Sequence, residues 1–269
     1  MPRGAILGVW CLAMVGCATV QTTSPGAVGI QRKQTMLVSE ASVEEGAAKA
    51  YATALQNAQQ QGKLNVDPEL TARVRRVSAR LIPVTAAFRP DAPAWHWEIN
   101  ALTTPEINAY AMPGGKIMVY SGLVDQLHLS DAELAAVLGH EISHALREHT
   151  RERVSRAYVE QAALTGIAIA VGAPAGSVDL ASSVASVTFE LPHSRQQEAE
   201  ADVMGLELMA RAGYDPHAAV TLWTKMQAAS TGHTPQFLST HPSSANRISE
   251  IERHIAEVEP LYQQAAQHE

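Results

Sequence analysis

Leu138-Gly139-His140-Glu141-Ile142-Ser143-His144 lies in a segment that reads as helix throughout. No Pro interrupts Asp131 to Arg153, and the one Gly, Gly139, stands just before the first histidine. Ser130 is a good N-cap, and Glu133 follows at the capping-box spacing. Leu134, Val137, Leu138, Ile142, Ala145 and Leu146 recur at helical intervals, which predicts a buried face.

On such a helix His140 and His144 share one face, one turn apart. Their imidazoles can converge on one ion, as a tetrahedral zinc site requires. Glu141 lies about 100° further round, too far to join them as a ligand but placed to touch a water at the metal. Two ligands and a general base within five residues is the zinc-metallopeptidase spacing. A catalytic zinc needs a third protein ligand and one open position. A histidine six residues after His144 would supply it locally, but Arg147 and Thr150 stand where H-x-x-G-x-x-H needs Gly and His, and His149 is one residue out of register. The third ligand must come from elsewhere.

Glu198-Ala199-Glu200-Ala201-Asp202 is the best source. Glu198 and Asp202, four apart, share a helical face, so one carboxylate can bind metal while the other accepts from a ligating histidine. Glu200 points roughly 160° away. The competing reading is a solvated acidic patch at a helix start. Glu190, His193 and Glu207 are weaker substitutes for the ligand.

The chain has 269 residues, 46% hydrophobic and 5% aromatic, which suits a helix-rich globule with a sizeable core. Its formal net charge of −7 argues against a nucleic-acid surface. Residues 1–16 read as a signal peptide: Arg3, an apolar run from Ala5 to Val15, then small residues before Cys17. They look like a bacterial lipoprotein signal, with Cys17 carrying the lipid; Met14 departs from the usual Leu. An ordinary secretory signal is the competing reading, and the run is too short for a membrane span. Cys11 and Cys17 are the only cysteines, so the processed domain is expected to hold no disulfide. Ala18 is not the Asp that resembles an inner-membrane retention signal, which points to the outer membrane, facing the periplasm.

Residues 17–39 read as a lipid-anchored flexible tether, rich in Thr, Gln, Ser and Gly. The peptidase domain is assigned to residues 40–269. Helices are predicted over Glu40–Gly62 and from Asp67-Pro68 to Pro83, the latter with Arg73, Arg75, Arg76 and Arg80 read as its solvated side, against a competing reading as a basic patch. Trp95–Leu102, Glu106–Met112 and Lys116–Tyr120 are three strands, with Pro113-Gly114-Gly115 as a turn, and His96 falls on the polar side. The apolar run from Ala162 to Val171 is too short to span a bilayer and reads as core; Gly172 to His193 admits a second reading as a mobile or membrane-touching lid. Further helices are predicted from Ser194 to near Gly213, from Asp215-Pro216 through Met226, and over Ser244–Glu259, with a loop from Ser230 to Pro242. The fold class is thus α+β and mostly α-helical, with a small antiparallel sheet against the H-E-x-x-H helix.

His140-Glu141-Ile142-Ser143-His144 followed by Glu198-Ala199-Glu200-Ala201-Asp202 resembles the HtpX and CaaX-prenyl-protease family of zinc endopeptidases. Asn108 to Gly115, Lys116 to Leu123, and Ser239-Thr240-His241-Pro242 with Arg247 beyond are similar to further elements of that family, in its order. Lacking the spans of its integral-membrane members, the chain looks like the soluble periplasmic lipoprotein branch, BepA- and LoiP-like but without a tetratricopeptide tail. The resemblance implies a zincin-like domain with one zinc per chain, held by His140, His144 and Glu198, with Asp202 supporting a ligand and Glu141 as general base. It implies that Asn108, Ala109, Tyr110 and Ala111 form a sheet edge for an extended substrate, that Arg247 supports substrate or site, and that His241 approaches the zinc as a fourth ligand or gate, the competing reading being a structural histidine in a loop. The expected substrates are unfolded or misassembled envelope proteins, met while the protein is held to the membrane through Cys17. The rivals are a non-proteolytic assembly factor with a structural zinc and a zinc amidase acting on cell-wall peptides.

Overall fold

The computed structural model describes residues 18–170, 179–230 and 234–267. The expected signal peptide and Cys17 therefore lie outside the described residues. Strands β1 (Ala18–Val20) and β2 (Gln34–Met36) pair antiparallel. Helix α1 (Glu40–Gln60) starts where Ser39 accepts from the Ser42 N–H, and α2 (Pro68–Val84) where Asp67 accepts from Glu69 and Leu70. Two short 3-10 turns lead to β3 (Glu98–Leu102), β4 (Ala109–Met112) and β5 (Lys116–Tyr120). The rest of the described chain is helical: α3 (Ser121–Gln126), α4 (Asp131–Leu146), α5 (His149–Ala170), α6 (Leu180–Phe189), α7 (Arg195–Arg211), α8 (His217–Ala229), α9 (Gln236–Thr240) and α10 (Arg247–Ala266). The mostly helical α+β class is as expected.

The central contact is α4 on α7. Gly139 and Gly205 meet at the crossing, and a Cβ on Gly205 would sit 2.8 Å from the His140 backbone nitrogen. Only two glycines let the axes come this close. The α4 capping box forms as its spacing predicts. More than one face of α4 is covered, however: every residue from Glu133 to Leu146 is buried, between α7 and the sheet. A second cluster, including Val43, Tyr51, Tyr110, Met118, Val184 and Val187, joins α1 and α6 to the sheet.

Four expectations are corrected. The sheet is mixed, not antiparallel: its order is β3-β5-β4, with β3 parallel to β5 and β4 antiparallel to it. The turn at Gly114 and Gly115, both at positive φ, makes the β4–β5 hairpin, and residues 103–108 carry the chain past β5. Second, helix does not continue to Arg153. The chain turns at Glu148, whose left-handed φ of 52° separates α4 from α5 and whose carboxylate is held by Arg89 and Arg151. Third, residues 18–38 are not an unattached tether. They strap across α5 and α7: Gln34 donates to Arg147 O and Glu152, Arg32 pairs with Glu152 and Glu200, and the Ala27 and Val28 amides donate to Glu207. Thr22, Thr23 and Gln34, among the polar residues that suggested a tether, all bond to Arg147. Fourth, the arginine run on α2 is not simply solvated: Arg73 and Arg76 pair with Asp131, and Arg80 donates to the Ala212 carbonyl near the end of α7.

Of the segment considered as a lid, 171–178 lies outside the described residues. Residues 180–189 form α6, a packed helix with Val184 and Val187 buried. His96 is exposed, as expected, but it lies before the strand: β3 begins at Glu98 and not at Trp95.

Candidate metal centre

His140, Glu141 and His144 project from α4, Glu198 and Asp202 from α7, and His241 from the residue after α9. The Ser194 capping box starts α7 so that Glu198 falls in its first turn. The structure brings four donors together: His140 Nε2, His144 Nε2, a Glu198 carboxylate and His241 Nδ1. His140 Nε2 lies 3.0 Å from His144 Nε2 and 3.2 Å from His241 Nδ1. Glu198 Oε1 lies 3.3 Å from His144 Nε2 and 3.1 Å from His241 Nδ1, and its Oε2 is 3.6 Å from His140 Nε2. Ligand atoms set tetrahedrally about 2.0–2.1 Å from a zinc ion stand about 3.3–3.4 Å from one another. The donor set fits that ion in type and spacing. Burial holds both α4 imidazoles toward the neutral form that metal ligation needs, against the pull of Glu198.

Asp202 Oδ1 accepts from His140 Nδ1 at 3.0 Å, as the i, i+4 pairing with Glu198 predicts. Arg247, 3% exposed, sits at the start of α10 and donates to Asp202 Oδ1 at 2.6 Å, with the same nitrogen 3.1 Å from Glu198 Oε2. Its guanidinium lies over the Trp223 ring. Burial raises the Asp202 carboxyl to about 6, with Arg247 opposing the shift.

Glu141 does not join the donors. Its Oε2 accepts from the Ala111 N–H at 3.0 Å, and its buried Oε1 has no hydrogen-bond partner, although His241 Nε2 lies 3.4 Å away. Burial pushes the Glu141 carboxyl up to about 7, with His241 as the main opposing influence. His241 thus meets the donor set with one ring nitrogen and Glu141 with the other.

Strand β4 (Ala109–Met112) is an edge of the sheet, with Asn108 just before it. Asn108 O accepts from Tyr120 N–H, so the Ala109 and Ala111 peptides face away from β5. Here the Ala109 N–H donates to Asn108 Oδ1 and the Ala111 N–H to Glu141. Of the weaker ligand candidates, Glu190 is exposed at the end of α6 and Glu207 binds the strap. His193 is near: its ring stacks on His241 at 4.9 Å and its N–H donates to Thr240 O, so it buttresses that histidine. His144, His149 and His193 form a second grouping, but Arg153 Nη1 lies 3.1 Å from His193 Nε2, and a guanidinium there opposes a cation.

Peptidase family M48 matches residues 68–255. The chain belongs to this family. Among curated M48 relatives, the mitochondrial metalloendopeptidase OMA1 of Schizosaccharomyces pombe is 36% identical over 195 residues, covering 70% of this chain and 54% of that protein. The human metalloendopeptidase OMA1 is 34% identical over 174 residues, covering 60% and 32%. The beta-barrel assembly-enhancing protease of Escherichia coli is 30% identical over 214 residues, covering 75% and 42%. The chain thus spans about half or less of the length of these relatives. The M48 match takes in every candidate ligand and leaves the strap outside it.

Proposed function

We propose that this chain is a zinc-dependent endopeptidase of the cell envelope, with Glu141 as general base. The observation that carries this reading is the buried His140, His144 and Glu198 set, at tetrahedral spacing in an M48 chain, with the Glu141 carboxylate beside it. Zinc held by these three would supply an acidified water and polarise the scissile carbonyl. Glu141, whose buried Oε1 has no hydrogen-bond partner, takes the water's proton and returns it to the leaving amine. Asp202 keeps His140 in the tautomer that presents Nε2 to the metal, and Arg247 ties Asp202 to Glu198.

In this reading His241 is a gate. It fills the corner that a catalytic site leaves open and faces Glu141. Its withdrawal, together with α9, frees the open corner and the β4 edge, where Phe237 N–H now donates to Ile107 O. An extended substrate then adds to the Ala109 and Ala111 peptides. Such a substrate is an unfolded or unassembled segment, and strands of an unfinished barrel protein meet that condition. The E. coli relative's name favours such a setting. We place the chain in the soluble lipoprotein branch near HtpX, anchored through a lipid on Cys17 to the outer membrane and facing the periplasm. No helix among the described residues is long and apolar enough to cross a membrane.

One observation favours a second reading. Four protein donors close a site, as in structural zinc centres, and a non-proteolytic assembly factor would use one. Casein cleavage separates the two. The endopeptidase cleaves casein, stops with chelator, and in the form Glu141→Gln keeps zinc while losing cleavage. Cleavage retained in Glu141→Gln would remove that residue from the mechanism.

A further inference from the structure

We infer that His149 is a positioning residue for His144, acting as a relay between that imidazole and the carboxylate of Glu200; this rests on reading the donor set as a zinc site. His144 turns Nε2 to the donor set, and its other nitrogen, Nδ1, lies 2.8 Å from His149 Nδ1. On the far side of the ring, His149 Nε2 lies 3.1 Å from Glu200 Oε2. His144, His149 and Glu200 are all buried.

The end of the chain fixes the protons. Glu200 also accepts from Arg147 and Arg32, so it meets His149 as an acceptor. His149 must therefore carry its proton on Nε2, which leaves Nδ1 as an acceptor. His144 must then carry its proton on Nδ1, which leaves the Nε2 lone pair for the ion. The two α4 ligands are thus oriented by different devices. His140 meets a carboxylate directly, and His144 meets one through an interposed ring.

The break at Glu148 makes the relay possible. In a continuous helix a residue five places on would sit about 140° round from His144, on another face. The left-handed Glu148 turns the start of α5 back, so that His149 closes on His144. The relay ends on the strap, because Arg32 joins Glu200 to Glu152 of α5.

Long-range proton–nitrogen NMR of the histidine rings in the zinc-loaded full chain tests the assignment without any substitution. The expected result is a proton on Nε2 of His149 and on Nδ1 of His144. A proton on His149 Nδ1 overturns the inference. Zinc affinity, measured by competition with graded chelators, gives the second readout. His149→Phe keeps a ring but neither nitrogen, and is expected to weaken zinc binding about 10- to 100-fold. His149→Gln can accept from His144 and donate to Glu200, and is expected to recover most of that loss. Equal weakening in both variants, or parental affinity in both, refutes the relay. A parent chain that binds no zinc refutes the metal reading instead.

Discussion

Gly205→Ala tests how the fold sets the site. The added Cβ would stand 2.8 Å from His140 N and 2.9 Å from Gly139 C, both backbone atoms that no rotamer change can move. Ordinary contact begins near 3.4 Å, so α7 must retreat from α4 by about 0.6 Å. Overpacking of this kind costs about 1–3 kcal/mol, and Ala in a helix interior returns about 1 kcal/mol. A backbone-on-backbone clash belongs at the upper end, a net loss of about 2 kcal/mol, which lowers Tm by about 4–8 °C in a chain of this size. The larger effect is on the metal. His140 and His144 ride on α4 and Glu198 on α7, and metal–ligand distances tolerate only about 0.2 Å. Zinc affinity is therefore expected to fall at least about tenfold. The assays are calorimetry of the metal-free protein and chelator competition for zinc. A variant that matches the parent in both would show that the glycine crossing does not set the ligand spacing.

Three further outcomes are expected. Glu198→Ala should lower zinc content per chain while leaving the helical circular dichroism in place; full metal stoichiometry would show that the α7 carboxylate is no ligand. His241→Ala should cleave casein faster than the parent if that imidazole closes the resting site, whereas an inactive variant with normal zinc would assign it to the substrate side. Arg32→Gln should be less stable than the parent at neutral pH. Burial opposes it, but Arg32, Gln197 and Gln34 hold the Glu152 carboxyl at about 2, below its unfolded value, so its contribution is present above the unfolded pKa and fades as pH falls toward about 2. The gap between variant and parent in denaturant unfolding should therefore close between about pH 4.5 and pH 2, and a gap constant over that window would refute the ionic role of the strap.

Legibility in the sequence followed the range of the interactions. The α4 capping box, the histidines one turn apart and the Glu198–Asp202 pair are all local, and periodicity reveals them. Lys116–Tyr120 was legible as a strand, but alternation tells which face a residue takes and not which neighbour its strand chooses, so the insertion of β5 between β3 and β4 was not. The break at Glu148 carries no Gly or Pro; Arg89, 59 residues away, helps to hold it. With the break unseen, His149 looked merely out of register, and Glu200 looked turned away from the site. It does turn away from Glu198, yet it serves the same cluster from behind. Composition suggested slack chain over residues 18–38, and only long-range partners show otherwise.

A strap whose ordered pairing begins at Ala18 has a mechanical consequence. A group joined to Cys17 is one residue from β1, a reach of no more than about 3.6 Å. Anything that gripped the protein there would hold the β1–β2 strap close to it.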